Sequence, residues 1–418
     1  MLDPADVYGI VVSMRSFLRF AVLGSMLASC VDMGDDTQEH DDAVDDEEPS
    51  GGDGPPAEGP DFEVRYQTKY VDIAPGFTQQ VCRGTLDEID RYMELVADEL
   101  DIELQGRTTV YWYNDKAEGT FADNDEMCDW CSRCGGCYTS GTAHVMYRSL
   151  HHELVHAIVT PAWTGSDTLF SEGIAMGFDR RDGFSATGTH SIYKLPSNQK
   201  PSDIAGSGKH GGARFSPWLV DRSGSASFRE LFERLSPSST KDEVFAVVED
   251  VYGLPFEELE AEYFANAPTA YPLPGLCEGH VEIPWNGDRW ELSGPADCDA
   301  PYMFGPNDDG GMTAVAIIDI PPEYVDMPMA MWIPSDVSAE MWPCIDEPLY
   351  DPDETLLGGQ LINNWVEFPV FRMAGRYRIE LPVYEADEVY LRLCPDNGKS
   401  PWDYPADKSV DPENCPGD

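Results

Sequence analysis

Five consecutive residues, His152-Glu153-Leu154-Val155-His156, constrain this chain more than any other feature. Two histidines four apart lie one above the other on a helix face, so their imidazoles converge on one point. Zinc accepts such a pair at about 2.0–2.1 Å per nitrogen. Glu153 stands beside the first histidine and, from that place, reaches a water on the metal rather than the metal itself. A carboxylate so placed takes the proton of that water as it attacks a carbonyl. Leu150, Leu154, Val155, Ala157 and Ile158 give the segment apolar faces to pack, and Pro161 marks its end. The pattern therefore predicts a buried helix that offers a metal site. His151 points about 100° of helix rotation away from that site, and His144 and His190 are expected to be structural or incidental.

A catalytic zinc needs a third protein ligand and an open fourth position. Glu172, in Leu169-Phe170-Ser171-Glu172-Gly173-Ile174-Ala175, is the best candidate. The fifteen residues between His156 and Glu172 suffice for a turn and a second helix returning beside the first. Over residues 62–270 this arrangement resembles the gluzincin group of zinc peptidases, which includes the thermolysin-like enzymes and the zinc aminopeptidases. The resemblance implies His152, His156 and Glu172 as zinc ligands, Glu153 as general base, and a zincin-like fold. The pattern departs from that group in three places. The spacer before Glu172 is shorter than in its best-known members. Met176 stands where the thermolysin-like enzymes carry an acidic residue, which leaves Asp179 as the candidate outer carboxylate. No Gly-x-Met-Glu-Asn-like segment precedes the helix, so nothing points to an aminopeptidase. A donor for the developing oxyanion is also needed. His210, in the Gly-rich Ser207-Gly208-Lys209-His210-Gly211-Gly212, is the first candidate, with Tyr193 and Tyr263 behind it.

The formal net charge of -50, from 27 basic and 77 acidic residues, argues against nucleic acid and against direct adhesion to anionic lipid headgroups. Near the N-terminus, Arg15 and Arg19 precede the apolar run Phe20–Leu27, too short to span a bilayer. The run ends in Leu27-Ala28-Ser29-Cys30, which resembles the lipobox of bacterial lipoproteins. That resemblance implies a signal peptide over 1–30, a lipid on Cys30, and an extracytoplasmic protein held to a bacterial membrane, at the outer membrane or the cell surface. Asp3 and Asp6 suit a signal poorly, which places the start of translation at Met14. Residues 31–61 carry thirteen acidic residues, no Lys or Arg and no aromatic residue. Such a segment cannot bury enough apolar area to offset its ordering entropy and is expected to be a disordered linker. The ten cysteines after Cys30 suit disulfides in an oxidising compartment. Cys128, Cys131, Cys134 and Cys137 belong to a loop whose disulfide partners could lie within it or include Cys82. Five cysteines fall in each half of the chain, so either one bridge joins the halves or two thiols stay free.

Folded sequence is expected from Phe62. Strands are predicted over 64–73, 108–113 and 143–147, with an amphipathic helix over 85–100 opened by a Thr85/Glu88 capping box. Helices are predicted over 212–222, 227–235, 240–251 and 256–266. Past Pro272 short alternating runs at 313–320, 329–333, 365–371, 375–381 and 388–394 predict antiparallel strands. The expected fold is an α+β zincin-like domain over 62–272, a small sheet plus active-site helix and then a helical lobe. An all-β, sandwich-like domain over 273–418 follows it. The expected activity is zinc-dependent hydrolysis of peptide bonds in a peptide or protein substrate. Two alternatives remain at this level: a surface binding or adhesion lipoprotein with a peptidase-like fold, and a zinc hydrolase of a non-peptide amide. The intact Glu153 speaks for catalysis, since a protein without turnover has no chemical need of it.

Overall fold

The computed structural model describes residues 62–114, 136–139, 141–179, 207–268, 271–273, 275–327, 329–333, 338–350, 362–363, 366–367, 371, 373–383 and 388–395; for 207–211, 332, 338, 362–363 and 366–367 only the backbone is described. The signal, Cys30, the acidic linker, Cys128, Cys131, Cys134, His190, Tyr193 and Cys415 lie outside these residues. Among the described residues no helix is long and apolar enough to cross a membrane.

The chain opens with a short hairpin, β1 (Tyr66–Gln67) and β2 (Val71–Pro75), where the sequence predicts one strand. The turn between them is held by Asp90, whose carboxylate accepts from Thr68 Oγ1, Lys69 N and Tyr70 N at 2.6, 2.7 and 3.0 Å. Helix α1 (Arg83–Glu99) lays Ile89, Tyr92, Met93 and Val96 onto the sheet. Its start corrects the expected capping box: Cys82 is the N-cap, without a side-chain hydrogen bond. Thr85 instead accepts from Gly305 N, and Glu88 pairs with Arg378. Strands β3 (Thr108–Tyr113), β4 (Gly136–Thr139) and β5 (Thr142–Met146) complete a five-stranded sheet in the order β1-β2-β3-β5-β4. β2, β3 and β5 are parallel, while β4 runs antiparallel to β5 along the edge.

Helices α2 (Leu150–Ala162), α3 (Thr168–Phe178), α4 (Ser207–Ser223), α5 (Ser225–Arg234), α6 (Lys241–Tyr252) and α7 (Phe256–Asn266) follow. α6 carries a true capping box, Thr240 with Glu243, and ends at Gly253 in the left-handed region. One core runs from the sheet through α1 and α2 to an aromatic cluster of Phe170, Phe215, Phe228 and Phe256 in the later helices.

The C-terminal half contains β6 (Trp290–Pro295), β7 (Met303–Phe304), β8 (Met312–Ile320), β9 (Met329–Trp332), β10 (Ser338–Pro343), β11 (Ile362–Asn363), β12 (Val366–Glu367), β13 (Gly375–Val383) and β14 (Glu388–Pro395). They form two antiparallel sheets, β11-β10-β13-β8-β7 and β12-β9-β14-β6. Ala316, Ile318, Ile379 and Leu381 of the first share a core with Met329, Met331, Leu391 and Leu393 of the second. Cys277–Cys344 closes a loop within this half, and Cys82–Cys298 joins it to α1 across 216 residues. That second bridge resolves the parity of five cysteines in each half.

Candidate metal centre

α2 is locally overdetermined. Ser149 Oγ accepts from Met146 N at 3.2 Å and donates to Met146 O at 3.1 Å, which fixes the turn that enters the helix. Leu150, Leu154, Val155 and Ile158 are buried in the core. That packing leaves His152 and His156 on one face, with ring centroids 4.9 Å apart and Nε2 atoms 3.3 Å apart.

α3 brings Glu172 to the same point. Asp167 caps the helix by accepting from Phe170 N at 3.1 Å. The turn before it is held by Ser166 N donating to Leu235 O at 2.8 Å. α3 lies hard against α4 through small residues: a Cβ on Gly173 would meet Ser216 Oγ at 2.5 Å, and one on Gly177 would meet Pro217 Cγ at 2.4 Å. This close approach, which only glycine permits, sets the depth at which Glu172 stands. Its Oε2 lies 3.5 Å from His152 Nε2 and its Oε1 3.5 Å from His156 Nε2.

These separations are a test of fit. Donors about 2.0–2.1 Å from a tetrahedral ion stand about 3.3–3.4 Å from one another. The three pairs here stand 3.3, 3.5 and 3.5 Å apart. Two imidazoles and one carboxylate, all within 4.8 Å, make a donor set that fits a small divalent ion with an open position.

Glu153 is buried and its Oε2 has no hydrogen-bond partner among the described residues. It is set beside Gly136 at the start of edge strand β4, where an added Cβ would meet Ser149 Oγ at 2.6 Å, Glu153 Cγ at 2.7 Å and Glu153 Oε1 at 2.8 Å. Burial raises its pKa above the ordinary carboxylate range; His152 and His156 pull it back, while the charges of Glu172 and Asp179 add to the rise. For His152, burial disfavours the charged ring, but Glu172, Glu153 and Asp179 outweigh it and hold the pKa up at about 9. Burial also works against the charged form of Glu172, yet the two histidines hold its pKa well below the usual carboxylate range. Asp179, buried at the end of α3, thus acts electrostatically on both His152 and Glu153.

The other candidates divide. His210 lies on the first turn of α4, so its backbone is helical where the Gly-rich sequence suggests a loop. Tyr263 is packed against Phe215 and Trp218, its pKa pushed up to about 12 by burial, with no hydrogen bond to the site among the described residues. His144 stacks on Tyr111 and shares a 3.2 Å hydrogen bond with Tyr113, and burial lowers it to about 4. His151 turns away toward Glu88, 3.3 Å distant. Sequence reasoning missed Gly136: it lies within the cysteine cluster, between Cys134 and Cys137, and the whole segment reads as loop. The only available signal was the pair Tyr138-Thr139, which favours a strand.

A comparison with protein-family models finds no match, and a comparison with curated proteins finds none either.

Proposed function

We propose that this chain is a zinc-dependent peptidase of the gluzincin kind, held outside the cytoplasm by a lipid on Cys30. One observation carries the reading. Three donors of the types that zinc takes converge at tetrahedral spacing, beside a buried carboxylate that has an oxygen to spare. A zinc ion in this donor set supplies Lewis acidity, which lowers the pKa of a water and polarises a carbonyl oxygen. Glu153 takes a proton at its unpartnered Oε2 and returns it to the departing amine, the work of a general base and then a general acid. Burial keeps this carboxylate out of bulk water and next to the histidine pair.

The edge strand β4 favours a peptide as substrate. It is the last strand of its sheet among the described residues, with Gly136 against Glu153. An extended chain laid along such an edge gains main-chain hydrogen bonds, which recognise a peptide without regard to its side chains. The disulfides Cys82–Cys298 and Cys277–Cys344 suit an oxidising compartment.

Metal analysis tests the reading. The purified protein is expected to carry one zinc, to cleave casein or a peptide library, and to lose both properties on chelation. Glu172→Ala is expected to lower zinc affinity at least about 100-fold, since a ligand is worth more than the outer partners that cost 10–100-fold. Unchanged zinc affinity in that variant would remove Glu172 from the ligand set. Bound zinc without cleavage would sink the peptidase assignment.

A further inference from the structure

We propose that Arg378, on β13 of the C-terminal half, is a positioning residue for the metal centre, acting through Glu88 on the helix that carries His152. The proposal rests on the three-ligand centre proposed above.

Glu88 is 2% exposed on the inner face of α1. A carboxylate buried this deeply is costly unless it is paired. Its two oxygens face in opposite directions, Oε1 in a hydrogen bond and Oε2 at ion-pair distance from an imidazole without a hydrogen bond to it. Oε1 faces the C-terminal half: it accepts from Arg378 Nη1 at 3.1 Å and lies 3.3 Å from His280 Nε2. Oε2 faces α2 and lies 3.3 Å from His151 Nε2. Arg378 is 3% exposed and is itself fixed on four sides. Besides Glu88 it donates to Leu276 O at 3.0 Å, His280 Nε2 at 2.8 Å and Glu380 Oε1 at 2.6 Å.

His151 precedes the ligand His152, so whatever holds its ring fixes the rotation of α2 about its axis. A second contact of α1 acts alongside. The Tyr92 ring stands edge-on to His151 at 4.6 Å, and its hydroxyl donates to Phe178 O at 2.9 Å, at the end of the helix that carries Glu172. α1 therefore brackets both ligand-bearing helices. Its N-terminus is in turn fastened to the C-terminal half by Cys82–Cys298, Arg83 N to Cys298 O at 2.8 Å, and Gly305 N to Thr85 Oγ1 at 2.9 Å. A ligand constellation tolerates displacements of only about 0.5 Å and 10–20°. A buried ionic cluster adds little stability over apolar side chains of the same volume, so its value here is orientation. Glu88 reads the position of the C-terminal sheet on one oxygen and sets the metal helix with the other.

The experiment uses the full chain. Zinc affinity is measured by competition with a chromogenic chelator, and the ligand geometry by the visible spectrum of the Co2+-loaded protein. Arg378→Met alone strands the buried Glu88 charge, so loss of folding in that variant would be ambiguous. The informative variant is therefore the double change Glu88→Gln/Arg378→Met, which removes both charges at similar volume. It is expected to fold, to bind zinc about tenfold more weakly, and to show an altered Co2+ spectrum. Arg376→Met is the control on the same strand. Arg376 pairs with Glu282 and donates to Cys277 O, away from Glu88, and both readouts should stay as in the wild type. If the double variant does not fold, Arg378→Lys carries the test. It keeps a cation beside Glu88 but cannot reach Leu276, His280 and Glu380 together, so weaker zinc binding is again expected. A folded variant with wild-type zinc affinity and Co2+ spectrum overturns the positioning role while leaving the metal centre intact. A wild-type protein that takes no zinc overturns the centre itself and this role with it.

Discussion

Replacing Gly136 by alanine adds one methyl group at a crowded point beside Glu153 of the proposed site. The backbone there lies outside the left-handed region, so alanine meets no conformational penalty and the whole effect is steric. The new Cβ would stand 2.6 Å from Ser149 Oγ, 2.7 Å from Glu153 Cγ and 2.8 Å from Glu153 Oε1. Reaching ordinary contact near 3.5 Å requires the Glu153 side chain or β4 to shift by about 0.7–1 Å. A misplacement of about 1 Å in a catalytic group costs up to about 100-fold in rate. The expected result is a kcat/KM lower by about 10–100-fold, a barrier increase of about 1.4–2.7 kcal/mol. Zinc affinity should not change, because the three atoms nearest the new methyl belong to Ser149 and Glu153 and to none of the proposed ligands. The assay is hydrolysis of a fluorogenic peptide by zinc-loaded wild type and Gly136→Ala, with metal content checked in both. A variant within twofold of the wild type would refute the claim that Gly136 sets the position of Glu153.

Two further predictions concern stability. Burial raises Asp167 to about 7, against the backbone hydrogen bonds from Phe170 and Leu169 that pull it down. An unfolded aspartate ionises near 3.9, so the native state binds more protons between about pH 4 and 7, and this group's contribution falls as pH rises through that window. From pH 5 to pH 8 it should cost about 2–3 kcal/mol in urea unfolding. Asp167→Asn keeps an acceptor for Phe170 N and should lose that slope; an unaltered slope would mean Asp167 is ionised in the fold. The Cys82–Cys298 bridge closes the longest described loop, 216 residues in sequence separation. Cys82→Ser/Cys298→Ser should lower stability by about 2–5 kcal/mol by thermal or urea unfolding; no change would mean that the interface around Thr85, Glu88 and Arg378 holds α1 unaided.

The helical part of the fold was legible because its signals are local. The pattern Leu86, Ile89, Met93, Val96 placed α1 within two residues of its ends, and Gly253-Leu254-Pro255 marked the break between α6 and α7. β3 has the bounds its β-branched and aromatic residues predict. The first strand was misjudged because Thr68, Lys69 and Tyr70 bend to a carboxylate twenty residues ahead, a contact that periodicity does not register. Thr85 and Glu88 have the spacing of a capping box, yet tertiary partners from the C-terminal half take both side chains. β6 and β10 were missed for a similar reason: prolines and glycines surround them, and it is pairing with β14 and β13 that makes them strands. In the candidate site, the two histidines and Glu153 follow from helix geometry alone, and Glu172 from loop length and family resemblance. Gly136 and the link from Glu88 to His151 were illegible, because each joins segments that no local pattern connects.

The most direct test of the central claim is peptide cleavage by zinc-loaded Glu153→Gln beside the wild type, with zinc content measured in both. The exchange keeps the size of the side chain and removes its capacity to accept a proton. General base catalysis of this kind contributes about 100- to 10,000-fold. The expected result is one zinc in each protein, cleavage by the wild type, and a loss of at least about 100-fold in the variant. Equal cleavage by the two proteins, or bound zinc with cleavage by neither, would contradict it.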